Sequence, residues 1–60
     1  MEEVIKAFYA KRNIYFLKVE NGTFGKWDQY QWMVTYSKNN VDYFTEFFDD
    51  GDIEQMARSL

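Results

Sequence analysis

Two aromatic-rich segments that flank a short polar segment constrain the fold of this chain more than any other feature. Gln29–Tyr36 and Val41–Phe48 combine aromatic and β-branched residues, which suit the pleated surface of a sheet. Ser37–Asn40, between them, is polar and prone to form a turn. The pattern therefore predicts an antiparallel pair of strands over residues 29–36 and 41–48.

A loop centred on the polar segment would also fix the register of this strand pair. Tyr36 would face Val41, and Val34 would face Tyr43. One face of the pair would then be almost wholly apolar, so we expect it to be the core side. Its members are Tyr30, Trp32, Val34, Tyr36, Val41, Tyr43 and Phe47.

The opposite face of the predicted strand pair is mixed in polarity, and we expect either a helix or a partner to cover it. Its members are Gln29, Gln31, Met33, Thr35, Asp42, Phe44, Glu46 and Phe48.

A third strand is predicted over residues 14–20, immediately before the pair Asn21–Gly22. Both of these residues tolerate the positive φ of a type I′ turn, so the pair is a strong local signal for a hairpin. With this pair as the loop, Val19 would face Phe24. The three strands together predict an antiparallel sheet.

Helices are predicted at both ends of the chain. Over residues 2–12, Val4, Ile5, Phe8 and Tyr9 fall at helical spacing, although the same residue types also suit a strand. We favour the helix, because acidic residues begin the segment, basic residues end it and Asn13 follows as a stop signal.

The C-terminal helix is predicted over residues 52–59. Ile53, Met56, Ala57 and Leu60 are spaced i, i+3, i+4 and i+7, which gives one apolar stripe. The residues before it, 49–51, supply candidate N-caps. The expected structure is a small α+β protein whose residues 1–60 form one domain.

Aromatic content exceeds what so short a chain can bury. The sequence has 60 residues, of which 22% are aromatic. A chain of this length buries only about 60% of the surface that its unfolded form exposes. We therefore expect some aromatic side chains to remain at the surface, where a contiguous patch would mark a partner or a dimer contact.

Composition argues against catalysis and against bound metal. The chain has no His and no Cys, so it cannot form a Ser-His or Cys-His pair or a typical zinc site. Residues 49–54 are rich in acids, but their spacing does not follow that of a calcium-binding loop. We predict no enzyme activity, no catalytic residues, no metal and no cofactor.

The sequence also indicates that the protein does not associate with membranes and where in the cell it is located. No apolar segment approaches the roughly 20 residues that cross a bilayer, and the start Met1-Glu2-Glu3 differs from a signal peptide, so no membrane association and a cytoplasmic location are expected.

The net charge of −3 disfavours nucleic-acid binding. The alternative hypothesis is a single-stranded nucleic-acid-binding domain that uses aromatic side chains of the sheet and lysines.

Charge is distributed unevenly along the chain. Residues 39–60 contain six acidic residues and one base, whereas residues 1–38 contain four acidic and six basic residues. Acids and aromatic rings that share a surface are typical of a docking site for a basic partner. The predicted partner-binding residues are Asp42, Phe44, Glu46, Phe48, Asp49, Asp50 and Asp52.

The expected partner is a larger protein with a basic surface, and a homodimer formed by the surplus aromatic side chains is the second form of this hypothesis. If the basic groove normally holds nucleic acid, spaced carboxylates would imitate its phosphates and block it. In size, acidity and lack of a catalytic set, the chain is similar to small virus-encoded inhibitors of host defence or nucleic-acid enzymes. That similarity is one of general character and includes no motif.

Overall fold

The three strands form one antiparallel sheet with β2 in the centre, and both helices pack against the same face of it. The computed structural model describes residues 1–60. The elements, in chain order, are α1 (Glu2–Lys11), β1 (Tyr15–Phe24), β2 (Tyr30–Ser37), β3 (Tyr43–Phe48) and α2 (Asp50–Arg58). The predicted α+β class, with a helix at each end of a three-stranded sheet, is confirmed.

Helix α1 buries one side against the sheet and ends where the sequence predicts. Ile5 and Tyr9, one turn apart, are its buried residues. After the helix, Asn13 adopts a left-handed conformation with φ of 58°, and its N–H donates to the carbonyl of Ala10. Asparagine tolerates this conformation better than most residues, so the helix stops here. The alternative prediction of a strand over residues 2–12 is wrong.

Helix α2 begins with a reciprocal pair of hydrogen bonds. The Asp49 carboxylate accepts from the backbone N–H of Asp52 at 2.8 Å, and the Asp52 carboxylate accepts from the backbone N–H of Asp49 at 3.0 Å. This capping box satisfies two backbone donors that a helix start leaves free. It also places negative charge at the positive end of the helix dipole. Ile53 and Met56 of the predicted stripe are buried.

The hydrophobic core lies between the helices and the sheet. Seven buried side chains form it: Ile5, Tyr9, Trp32, Val34, Tyr36, Ile53 and Met56. Only three of these are aromatic, whereas five aromatic side chains are exposed: Tyr15, Trp27, Tyr43, Phe44 and Phe47. The prediction that the chain has more aromatic side chains than its core can hold is confirmed.

The predicted register of β2 and β3 is wrong. Tyr36 pairs with Phe44, and Val34 pairs with Glu46, a shift of three residues from the predicted partners. An odd shift moves every β3 side chain to the other face of the sheet. Phe44, Glu46 and Phe48 therefore share the face of the buried β2 residues, while the predicted core residues Tyr43 and Phe47 lie on the opposite face.

Side-chain hydrogen bonds in the loop between β2 and β3 account for this shift. The Ser37 hydroxyl accepts from the backbone N–H of Asn40 at 2.8 Å. The Asn39 side chain accepts from the backbone N–H groups of Val41 and Asp42. These bonds hold residues 38–42 as a compact loop, so Val41, which was predicted to be in the core, lies in the loop and is exposed.

The predicted hairpin turn at Asn21–Gly22 is also wrong. Strand β1 continues to Phe24, which pairs with Tyr30, and the connection to β2 comprises residues 25–29. Gly25, with φ of 93°, and Asp28, with φ of 55°, supply the left-handed conformations of this connection. The longer strand brings the Phe24 ring to 5.8 Å from the Phe47 ring, a contact between sequence-distant residues that the local turn signal does not include.

Candidate functional site

The seven predicted partner-binding residues lie on β3 or in the segments that flank it. We term this set, Asp42, Phe44, Glu46, Phe48, Asp49, Asp50 and Asp52, the acidic edge. β3 is an edge strand because it pairs with β2 on one side only. Three members of the acidic edge lie on β3 itself: Phe44, Glu46 and Phe48. Because they pair with the buried β2 residues Tyr36, Val34 and Trp32, they lie on the helix-covered side of the sheet.

Phe44 ends a stack of three aromatic rings that runs from α1 to the edge of the sheet. The Tyr9 ring stacks on the Tyr36 ring with 5.2 Å between centroids. The Tyr36 ring stacks on the Phe44 ring at 5.7 Å. Tyr9 and Tyr36 are buried, whereas Phe44 is 45% exposed. The stack therefore holds an exposed aromatic surface in a fixed position, which lowers the entropy cost of using it for binding.

Glu46 connects this stack to the electrostatics of the edge. The hydroxyl of Tyr36 donates a hydrogen bond to Glu46 Oε1 at 2.7 Å. This hydrogen bond, with a further contribution from burial, raises the pKa of Tyr36 above its ordinary value. The pKa of Tyr9 is also raised, chiefly by burial and then by the charge of Glu46. Glu46 is thus oriented by a buried tyrosine while the residue itself remains exposed.

A cavity of about 250 Å³ opens beside Glu46. Five hydrophobic side chains and two charged ones line it: Phe8, Tyr9, Ile14, Tyr36, Lys38, Glu46 and Phe48. Its apolar floor comes from α1, from Ile14 immediately before β1, and from the sheet. A flexible side chain with an apolar stem matches this floor. Of the two charged lining groups, Glu46 would attract a positive end group and Lys38 would repel it.

The acids at the start of α2 have structural partners. Asp49 and Asp52 form the capping box, and Asp50 Oδ1 accepts from Trp32 Nε1 at 3.0 Å. The backbone N–H of Asp50 donates to Gln31 Oε1 at 3.1 Å. A helix cap therefore accounts for the position of these acids. Asp50 and Asp52 are nevertheless exposed, so their charge also acts on the surrounding solvent.

Asp42 lies at the opposite end of β3 from these acids. Its carboxylate accepts from Asn39 Nδ2 at 3.4 Å within the loop. At the usual rise of about 3.3 Å per residue, the strand separates Asp42 from Asp49 by roughly 20 Å. The structure therefore brings Phe44, Glu46 and Phe48 together on one side of β3 and groups the α2 acids, with Asp42 apart from both.

Aromatic side chains on the open side of the sheet were not among the predicted site residues. Tyr43 and Phe47 are exposed there, and the Phe47 ring contacts the rings of Phe24 and Tyr30 with centroids 5.8 and 6.0 Å apart. Both were assigned to the core because of the wrong register. The contribution of Lys38 and Ile14 to the cavity was also missed, because it depends on how α1 packs on the sheet.

No group of three or more acidic side chains converges in a way that would hold a metal ion. Neither helix has the length and apolar character needed to cross a membrane.

Comparison with known proteins found no matching family model, no matching curated protein and no matching solved structure.

Proposed function

We propose that this protein is a small binding module that docks the acidic edge on a basic groove of a larger protein. The observation that carries the proposal is the pairing of exposed Phe44 with the Glu46 carboxylate on an edge strand, both positioned by Tyr36. Aromatic side chains are common anchors at interface hot spots, and a carboxylate beside the ring adds charge complementarity to a basic partner. The proposed mode of action is stoichiometric binding, as an inhibitor or an adaptor.

Charge supports a basic partner. The segment 39–60, which includes the acidic edge, has six acids and one base. Asp42 and Glu46 are both exposed, so their field reaches an approaching protein. Attraction between opposite charges speeds encounter and orients the two proteins, and salt screens it over about 8 Å at physiological ionic strength. We therefore expect association to slow as salt is added.

The test is capture of the partner followed by direct measurement of its affinity. Tagged protein would capture the partner from a lysate, mass spectrometry would identify it, and the purified pair would be titrated. The test variant carries Asp42→Lys with Glu46→Lys. Like charges across an interface cost several kcal/mol, so we expect the Kd to rise about a hundredfold.

A matched control makes the same change of charge elsewhere. Glu3→Lys with Glu20→Lys also alters the net charge from −3 to +1, because each substitution adds two positive charges. Both residues are exposed and lie outside the acidic edge. Circular dichroism would show that each variant is folded. Equal affinities of the two variants would contradict the proposal, since the position of the acids would then not matter.

Imitation of nucleic acid is a finer form of the same proposal. In this form the groove of the partner normally holds nucleic acid, and the carboxylates of the acidic edge occupy phosphate positions. Competition would test it: a nucleic-acid ligand of the captured partner should be displaced by the protein at a one-to-one ratio. Simultaneous binding of both would remove the imitation hypothesis and leave the docking proposal standing.

A second candidate function is supported by the loop between β1 and β2. Trp27 is 77% exposed, and the Lys26 ammonium lies 5.4 Å from its ring. An exposed ring beside a cation is the arrangement that stacks and neutralises single-stranded nucleic acid. Titration with a short single-stranded DNA at low salt should then quench tryptophan fluorescence, and Trp27→Ala should abolish the change. An unchanged spectrum and no gel shift would remove this candidate.

A further inference from the structure

The two edges of the sheet differ in how they resist pairing with another strand. β1 has two register irregularities against β2, between Phe16 and Lys18 and between Asn21 and Phe24. Bulges of this kind twist an edge and interrupt its hydrogen-bonding pattern, which protects it from added strands. β3 pairs with β2 without interruption from Tyr43 to Phe48. Only the β1 edge is protected in this way.

β3 has only one of the side chains that usually protect an edge, the charged Glu46. Its sequence is Tyr-Phe-Thr-Glu-Phe-Phe, which contains no proline and no lysine and has a single charge, Glu46. Five of its six residues are exposed. In an antiparallel sheet, alternate residues of an edge strand direct their N–H and C=O groups away from the neighbouring strand. These groups form a regular, unprotected row of backbone donors and acceptors.

From these observations we infer that β3 is the site at which an extended segment of a basic protein adds a fourth strand to the sheet. The inference rests on the proposed function and specifies how its partner binds. Backbone hydrogen bonds to β3 would supply affinity, and alternate side chains would supply specificity. The acidic edge is thus a strand-docking site.

The two sides of β3 determine the sequence pattern of the added strand. On the helix-covered side, a residue next to Glu46 meets its exposed carboxylate, which suits arginine or lysine. On the open side, a residue next to Tyr43 or Phe47 meets exposed rings, which suit a β-branched or aromatic side chain. The expected segment therefore alternates cationic and apolar residues.

A second copy of this chain fits the same edge less well. In antiparallel self-pairing centred on Thr45, Phe44 of each copy would face Glu46 of the other, so no carboxylate would meet a cation. Each copy would also bring the acid-rich segment 39–60 to the contact, and like charges repel. Charge complementarity therefore selects a basic segment over self-association.

The test uses three synthetic peptides, built from the same numbers of arginines and valines, against the intact protein. The first alternates arginine and valine over seven residues, and the second groups the arginines at one end. The third is the alternating peptide with every second backbone nitrogen methylated, prepared once with the arginine nitrogens methylated and once with the valine nitrogens methylated. We expect the alternating peptide to bind about tenfold or more tightly than the grouped one, because only it places both residue types on their matching sides. Methylation should weaken binding by a similar factor in one of its two phases, since it removes the donors that face β3.

Hydrogen exchange locates the peptide. On binding, amides of alternate residues in Tyr43–Phe48 should exchange more slowly, while the amides of β1 should not change. Equal affinity of all three peptides, or no slowing in β3, overturns strand addition. If those equal affinities still fall with Asp42→Lys and Glu46→Lys, the proposed docking of a basic partner survives.

Three other outcomes are equally decisive. If the alternating peptide binds with β3 protection but the lysine variant does not weaken it, strand addition holds and the charge-based function fails. Sedimentation at several concentrations addresses the second copy: a dimer whose β3 amides are protected without any peptide shows that this chain occupies its own edge, which overturns the inference. Absence of binding by every peptide at millimolar concentration also overturns it.

Discussion

The two faces of the sheet are built from alternate residues of the same strands, yet only one of them is covered. On the covered face, Trp32, Val34 and Tyr36 are buried under α1 and α2. On the open face, Tyr43 and Phe47 remain exposed although they are as apolar as the buried residues. The two short helices cover one face of the three-stranded sheet and leave the other face uncovered. The comparison shows that burial here is determined by where the helices pack rather than by hydrophobicity alone.

The largest expected effect comes from the covered face. Ile53, on α2, is 1% exposed. Ile53→Ala should lower the free energy of unfolding by about 2–5 kcal/mol, because it removes buried methyl groups and leaves a cavity. Urea denaturation followed by circular dichroism would measure this. If that variant is unfolded without urea, Ile53→Val, with an expected loss of about 0.5–1.5 kcal/mol, provides the measurement. A negligible loss in both would show that α2 does not seal the covered face.

The next largest loss of stability is expected when the N-terminal cap of α2 is removed. Asp49→Ala removes the cap of α2 and should cost about 1 kcal/mol, with a range of about 0.5–2 kcal/mol. Asp49→Asn is the matched control, because asparagine caps about as well but has no charge. A large loss in the control as well would assign the stabilisation to the charge of Asp49 rather than to its hydrogen bond.

A smaller effect is expected on the open face. Phe47→Thr removes the ring contacts with Phe24 and Tyr30 and puts in their place a β-branched residue, which suits a strand. The unfolding free energy should fall by less than about 1 kcal/mol, the range of cross-strand pairs. The same denaturation experiment applies. A loss as large as that of Ile53→Ala would show that the open face contributes to stability as a second core, which contradicts the difference between the two faces.

The smallest effect concerns the hydrogen bond between Tyr36 and Glu46, which joins the covered face to the edge. The folded state raises the pKa of Tyr36 above its ordinary value of 10.0, so it favours the protonated phenol. This contribution to stability is fully present below pH 10 and is lost as the pH rises through the folded-state pKa.

Glu46→Gln should therefore lower the pKa of Tyr36 towards 10 and weaken the loss of stability at alkaline pH. Absorbance of tyrosinate during an alkaline titration, with Tyr36→Phe to identify the signal, would measure the change. A titration curve identical to that of the unsubstituted protein would show that Glu46 does not control the protonation of Tyr36.

Some elements could be predicted because their signals are local and agree with one another. In α2, the apolar stripe, the acids of the first turn and Arg58 in the last turn all indicate a helix over one segment. On β2, alternation predicted the buried side chains Trp32, Val34 and Tyr36. The α+β class followed from these elements.

The register of β3 could not be predicted from alternation, because β3 is apolar in both phases. Tyr43 and Phe47 occupy one phase, and Phe44 and Phe48 occupy the other. Either set can face the core, so the pattern does not choose between the two faces. The choice depends on the length of the preceding loop, which Ser37 and Asn39 set through their hydrogen bonds.

The candidate site was predicted in composition but not in arrangement. The sequence located acids and rings together in residues 42–52, because they are neighbours in the chain. It did not indicate that Phe44 would end a ring stack or that Glu46 would accept from Tyr36, since both contacts join different strands. The roles of Asp49 and Asp52 in capping were accessible from spacing alone.

The sequence by itself determined the helices, the order of helices and strands along the chain, and the excess of aromatic side chains over available core. Helical spacing and alternation act over a few residues, and composition needs no structure at all. The tertiary structure alone decided which rings of β3 face the helices, where β1 turns back and which edge of the sheet is left unprotected. These features depend on contacts between distant parts of the chain. Either set of alternate residues in β3 is hydrophobic enough to face the core, so only packing against the rest of the protein decides which set does.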